Sequence, residues 1–254
     1  DGVMFSKAMS RGWVGWVLGI FITGFYVLLY WWPNLLDGLV RMVNPLAYFI
    51  TSSAADSWFL FGFLYTLGVL VFGFRMFMKY RHNPYQIIRT GSVMFFQFGF
   101  AFLIPQILKK FNEPEFYFTY FWPLKYDYLF PSTVGYLTGH PGTLGLFMVF
   151  WGIVTTFVVS PVLTFFFGKR WYCSWVCGCG GLAETLGDPF RQLSNKSLFS
   201  WKVERVFIYS VLVIITLTTG MLWVNSATDG QVFGTLSGLM ARWYRFFIGG
   251  IFSG

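Results

Sequence analysis

All three cysteines of the chain, Cys173, Cys177 and Cys179, fall within seven positions of one stretch, "KRWYCSWVCGCGGLAE", residues 169–184. Three thiols cannot all pair with one another, so a structural disulfide explains them poorly, whereas thiolates are the ligands of iron-sulfur clusters and other soft metals. Lys169 and Arg170 beside them would lower thiol pKa values and offset the negative charge of a thiolate-bound centre. Gly178, Gly180 and Gly181 would let the backbone curl round an inorganic core and aim N–H groups at its sulfurs. If Cys173 to Cys177 is one helical turn, their sulfurs share a face, and Cys179 joins them through a glycine-rich bend. Downstream, "GDPF" reads as a helix start with Asp188 as cap and Pro189 in first position.

An iron-sulfur centre, a zinc site and three inert thiols at a membrane surface all stay open on these residues, the first being the best match. A cubane wants four protein ligands and the chain has three cysteines. The fourth would come from beyond Gly254, from a second subunit, or from an oxygen ligand such as Asp188 or Glu184. A radical-SAM reading fails on spacing and on setting, which is the next matter.

The elements that must position this stretch are membrane helices. The 254 residues are 56% hydrophobic and 23% aromatic, and 11% are charged, against roughly 25% charged in an average soluble domain. Charge-free apolar runs occupy Gly12 to Trp32, Trp58 to Phe74, Gly91 to Leu108, Gly142 to Phe167 and Val206 to Val224. Each is near the ~20 residues that a helix needs to cross the hydrocarbon layer. An all-α polytopic bundle of five or six spans follows. It reads as a single transmembrane domain over residues 1–254, with the cysteine loop at 168–204 between the fourth and fifth spans. The tail from Gly230, interrupted by Arg242 and Arg245, stays unassigned between an interfacial helix and a sixth crossing. The chain opens on Asp1 and stops without a closing signal, which leaves room for a further domain beyond Gly254.

The net charge of +8 does not point to nucleic acid, because the basic residues sit at the ends of spans. With the N-terminus inside, twelve of them (Lys7, Arg11, Arg75, Lys79, Arg81, Arg89, Lys169, Arg170, Arg191, Lys196, Lys202 and Arg205) face the cytoplasm. Four (Arg41, Lys109, Lys110 and Lys125) face outward. The positive-inside rule therefore puts the cysteines on the cytoplasmic side, where thiols stay reduced. On the outer side, "NLLDGLVRMV" before Pro45 has helical spacing and reads as packing along the interface. The aromatic loop "EPEFYFTYFWPLKYDYLFP" reads as an interfacial anchor, and secondarily as a dock for a quinone or a partner.

Other chemistry is poorly supplied. Two histidines, His82 and His140, fall at opposite ends of spans and cannot clamp one haem. Gln97, Gln106, Thr155 and Thr156 lie within spans, where such groups bond between helices by default. A channel or transporter would carry ionisable groups in mid-span, and none of the five runs does. No phosphate-loop, nucleophile-elbow or zinc-protease motif is present.

The stretch "FFFGKRWYCSWVCGCGGLAE", with "FWPLKYDYLF" upstream and the amphipathic segment downstream, resembles the NosR/NapH/CcoG group of membrane iron-sulfur proteins. That group's signature at the end of a transmembrane helix is matched by Gly168, Lys169, Trp171 or Tyr172, Cys173, Trp175 and Cys177. Ser174 replaces its glycine, Gly178 replaces its proline, and Cys179 is additional. The resemblance spans about 100 residues and lacks the second cysteine motif found in many members. It implies a membrane-bound 4Fe-4S centre that transfers electrons as a subunit of, or partner to, a larger membrane complex. The competing reading is a structural or assembly subunit whose metal centre, cluster or zinc, does not turn over.

Overall fold

Five helices are long and apolar enough to cross a membrane, and no strand occurs among the described residues. The structure, a computed structural model, describes residues 12–168, 170–193 and 197–246. In chain order the helices are α1 (Gly12–Trp31), α2 (Asp37–Thr51), α3 (Ser57–Lys79), α4 (Pro84–Lys110), α5 (Pro131–Thr138) and α6 (Leu144–Phe167). Then follow α7 (Trp171–Trp175), α8 (Gly178–Thr185), α9 (Leu198–Ala227) and α10 (Gly234–Tyr244). The spanning helices are α1, α3, α4, α6 and α9, so the protein is an all-α, polytopic helix bundle. Each predicted apolar run sits on one of them.

The ends of the spans are set by local chemistry. Asp56 starts α3 by accepting a hydrogen bond from the Phe59 amide at 2.6 Å. Asn83 accepts from the Gln86 amide ahead of α4, with Pro84 in the first turn, where its missing N–H costs nothing. Ser197 accepts from the Ser200 amide at the start of α9. Two spans loosen into π-helical turns, α4 over Phe96–Leu103 and α6 over Thr155–Val159. Each such turn runs up to a proline inside the span, Pro105 or Pro161, which has no N–H to continue the α ladder. The Thr155 hydroxyl donates to the Trp151 and Gly152 carbonyls, and that of Thr156 to Gly152, which satisfies carbonyls near the break in α6.

The chain divides into two compact units, Asp1–Thr119 with Val162–Ser194, and Tyr120–Pro161 with Asn195–Gly254. The first unit holds α1 to α4 and the cysteine stretch. Its core joins Ala47 of α2 to Phe59 of α3 and Phe102 of α4, all nearly inaccessible. Most of the segment before Pro45 is exposed, with Leu36 buried and Val43 against this core, and the helix runs on past the proline to Thr51. α1 touches α3 through rings, Tyr26 on Phe61 and Tyr30 on Trp58.

The second unit centres on Phe130, Ile215 and Tyr244. The aromatic loop is bonded into it: the Trp122 amide donates to Thr156 Oγ1, Trp122 Nε1 to Thr219 Oγ1, and Trp223 Nε1 to the Leu129 carbonyl. The described part of the tail contributes α10, an 11-residue α-helix.

α5 and α6 approach so closely that a Cβ on Gly145 would fall 1.9 Å from the Leu137 carbonyl oxygen, whereas one on Gly152 would meet nothing within 4 Å. Gly145→Ala should therefore destabilise the protein by about 2 kcal/mol, and Gly152→Ala should be neutral or better. Thermal unfolding of the two variants in detergent, followed by circular dichroism, checks the difference.

Candidate metal centre

The chain leaves α6 at Gly168, whose φ of +83° is open to glycine and strained for any other residue, and it turns back on itself. Trp171 Nε1 donates to Thr164 Oγ1 at 3.1 Å, four residues before that glycine. α7 then runs for five residues and stops. The amides of Val176 and Cys177 both donate to the Tyr172 carbonyl, and Cys177 becomes the extended residue ahead of α8. Cys173 therefore lies in α7, Cys177 at the break, and Cys179 in the first turn of α8.

This corrects two expectations. Cys173 and Cys177 are not on one helical turn, because the helix breaks between them. The glycine-rich bend is a helix. "GDPF" does start a helix, a 3-10 helix from Asp188 to Leu193, and the Asp188 carboxylate accepts hydrogen bonds from Lys79 Nζ and from the Tyr80 hydroxyl at the end of α3. Glu184 is likewise engaged, with Arg89 at 2.8 Å. Neither acid is poised as a fourth ligand.

The glycines are needed, for a different reason from the one expected. Cβ atoms on Gly178, Gly180 and Gly181 would fall 2.1 Å from Gln97 Oε1, 1.8 Å from the Cys173 carbonyl oxygen and 2.1 Å from Val93 Cγ1. The space is filled by protein atoms, so these glycines let α8 lie against α4 and let α7 lie against α8. The contacts fix a register: Arg89 meets Glu184, Val93 meets Gly181 and Gln97 meets Gly178. α8 thus runs antiparallel to α4, and Leu182 reaches Gly68 on α3.

Side chains of α4 hold the cysteine stretch from behind. Arg89 Nε donates to the Ser174 carbonyl at 3.2 Å, and its Nη2 to Ser174 Oγ at 3.3 Å. Ser92 Oγ donates to the Trp175 carbonyl at 2.9 Å. These two carbonyls belong to the last turn of α7, where helical partners run out, so α4 supplies the missing donors. Arg89 also pairs with Glu184 of α8, and so it ties the two cysteine-bearing helices together.

The thiols of Cys177 and Cys179 lie close enough for the ionisation of one to affect that of the other. Their interaction is the main reason why the Cys177 thiol is pushed up and that of Cys179 drawn down; burial opposes ionisation of both. The Tyr65 hydroxyl, buried on α3, faces Cys179 and favours its thiolate. Amides of Gly180 and Cys179 face the Cys177 sulfur, too loosely for a capping hydrogen bond, and the amide of Cys179 faces its own sulfur. Cys173 is exposed, as is Arg170 in the turn before α7. Lys169 lies outside the described residues.

The structure brings two of the three thiols together, and it places the third on a neighbouring helix whose backbone touches Gly180. Among the described residues no group of three or more His, Cys, Asp or Glu side chains is gathered tightly enough to hold a metal ion. Arg89, Ser92, Gln97, Tyr65 and Lys79 were not expected near the cysteines. Their one sequence signal is the i, i+4, i+8 spacing of Arg89, Val93 and Gln97, which marks one face of α4. Elsewhere, Gln97 Nε2 donates to Thr66 Oγ1 at 3.2 Å, an interhelical bond of the kind expected for intramembrane amides.

Residues 143–197, which include all three cysteines, match the family model of a 4Fe-4S binding domain. No curated protein and no solved structure matches the chain. The match supports iron-sulfur binding by this protein. The donor set fits in kind: three thiols, two of them at a helix start, with backbone amides and a tyrosine hydroxyl facing them.

Asp188 retains 2% of its side-chain exposure and depends on Lys79 for compensation. Lys79→Met should cost about 1–2 kcal/mol by taking a charged donor from that buried carboxylate, while Lys79→Met with Asp188→Asn should recover part of the loss. Thermal unfolding of the single and double variants reads both.

Proposed function

We propose that this chain is a membrane-bound iron-sulfur electron-transfer protein, of the NosR/NapH/CcoG kind, in which Cys173, Cys177 and Cys179 supply thiolate ligands to a 4Fe-4S cluster. The observation that carries the reading is that all three cysteines fall inside the segment that matches a 4Fe-4S binding domain, two of them at the start of α8. A 4Fe-4S cluster, when bound, takes up and gives up one electron at a time.

The chain's own residues would do the rest. Thiolates of Cys177 and Cys179 hold iron at the break between α7 and α8, and Cys173 reaches it from α7. Amides of Cys179 and Gly180 and the Tyr65 hydroxyl face the sulfurs, and donors so placed stabilise negative charge there. Arg89 and Ser92 keep α7 against α4, which fixes the approach of Cys173. The positive-inside pattern supports a centre in the cytoplasmic half of the membrane, and the family resemblance suggests a bacterial inner membrane and a complex with other membrane proteins.

Anaerobic purification followed by metal and sulfide analysis, absorption and electron paramagnetic resonance tests the proposal. Iron, acid-labile sulfide and a signal that appears on dithionite reduction are expected. Stoichiometric zinc without iron would overturn the reading, and a cluster that resists reduction would leave only a structural role. Cys179→Ser should abolish cluster binding while helicity is retained, and an unchanged spectrum would remove Cys179 from the ligand set.

A further inference from the structure

The register between α8 and its neighbours fixes how deep the sulfurs lie. Gly178, between Cys177 and Cys179, rests on Gln97 of α4 and on the Tyr65 ring of α3. Both residues lie well inside charge-free runs, Gly91 to Leu108 and Trp58 to Phe74. At 1.5 Å per residue, Gln97 is ~12 Å along the helix from Arg89, and Tyr65 is ~15 Å from Arg75. Those arginines mark the charged boundary at one end of the bundle, and half of a typical hydrocarbon core is ~15 Å. The cysteine stretch does not rest on this boundary: from Gly168 it turns inward, with Trp171 bonded back to Thr164, and α8 returns outward from Gly178 to Asp188 beside Lys79.

We infer that α7 and α8 form a re-entrant hairpin and that the sulfurs of Cys177 and Cys179 lie within the hydrocarbon layer rather than at its aqueous mouth. The backbone supports this independently. Broken helix is tolerated at membrane depth only where protein satisfies its polar groups. At this break the Val176 and Cys177 amides go to the Tyr172 carbonyl, and the Ser174 and Trp175 carbonyls take Arg89 and Ser92. Cys173 joins the same level, since its carbonyl and Cα lie against Gly180, and Cys173 is exposed on the chain's surface. An exposed sulfur at that depth faces lipid or another membrane-embedded group, so a water-soluble carrier cannot bring its own redox group against it. That functional meaning rests on the electron-transfer reading; the depth of the sulfurs does not.

The test uses the full chain in lipid nanodiscs, where both aqueous faces are open, first with iron removed by chelator under reducing conditions. Its native thiols are only Cys173, Cys177 and Cys179, and a His82→Cys variant adds one in the exposed turn between α3 and α4 as an aqueous reference. Labelling by N-ethylmaleimide is compared, site by site, with labelling by a charged maleimide of similar size. Burial in protein alone slows both reagents, whereas hydrocarbon selects against charge. The ratio of charged to neutral rates at Cys177 and Cys179 should fall about tenfold or more below that at the reference. Equal ratios would overturn the inference. In the iron-loaded protein, an aqueous dysprosium chelate should barely speed relaxation of the reduced centre, and strong enhancement would overturn the inference too. Failure to load iron counts against the proposed function and leaves the labelling ratio readable.

Discussion

Close contact between the glycine face of α8 and α4 is the constraint on which the site depends. A helix carrying ordinary side chains at 178 and 181 could not lie where Gln97 and Val93 already stand. Without that contact α8 has no fixed register, Tyr65 does not face Cys179, and Arg89 cannot reach Ser174 and Glu184 together. The third glycine, Gly180, performs the same office between α7 and α8. Small residues serve membrane interfaces in this way because lipid offers no hydrophobic force to press helices together, and association relies on close packing and on hydrogen bonds.

The polar contacts around the site divide the work between two levels. At the outer level Lys79, Tyr80 and Asp188 fasten the end of the cysteine stretch to the end of α3, and a carboxylate so thoroughly buried is stable only with those donors in place. At the inner level Arg89 and Ser92 complete the last turn of α7. A five-residue helix has little stability of its own. Its position is therefore supplied from outside, by side chains of α4, and Cys173 inherits that position.

The spans were legible in the sequence because lipid demands long charge-free runs, and five such runs reappear as five helices. The cysteines were legible as a site because their type and density fit little else, and the match to a 4Fe-4S binding domain agrees with that reading. What surrounds them was not legible. Gly178, Gly180 and Gly181 announced a lack of space, but sequence could not say that a glutamine, a carbonyl and a valine take it up. Lys79 and Asp188 are 109 positions apart, and no local pattern links them. The break at Val176 was hidden as well, because "WYCSWVC" reads as readily as one continuous turn of helix.

The orientation of α8 carries a consequence for energetics. Its N-terminus, with unpaired amides and a fractional positive charge from aligned peptide dipoles, is the end at which Cys177 and Cys179 sit. An apolar neighbourhood opposes any added negative charge on the sulfurs, while the dipole of the helix welcomes it. The two influences act in opposite directions on how readily a centre there would accept an electron, so its midpoint would be governed by their difference, and reversing the helix would remove the favourable half.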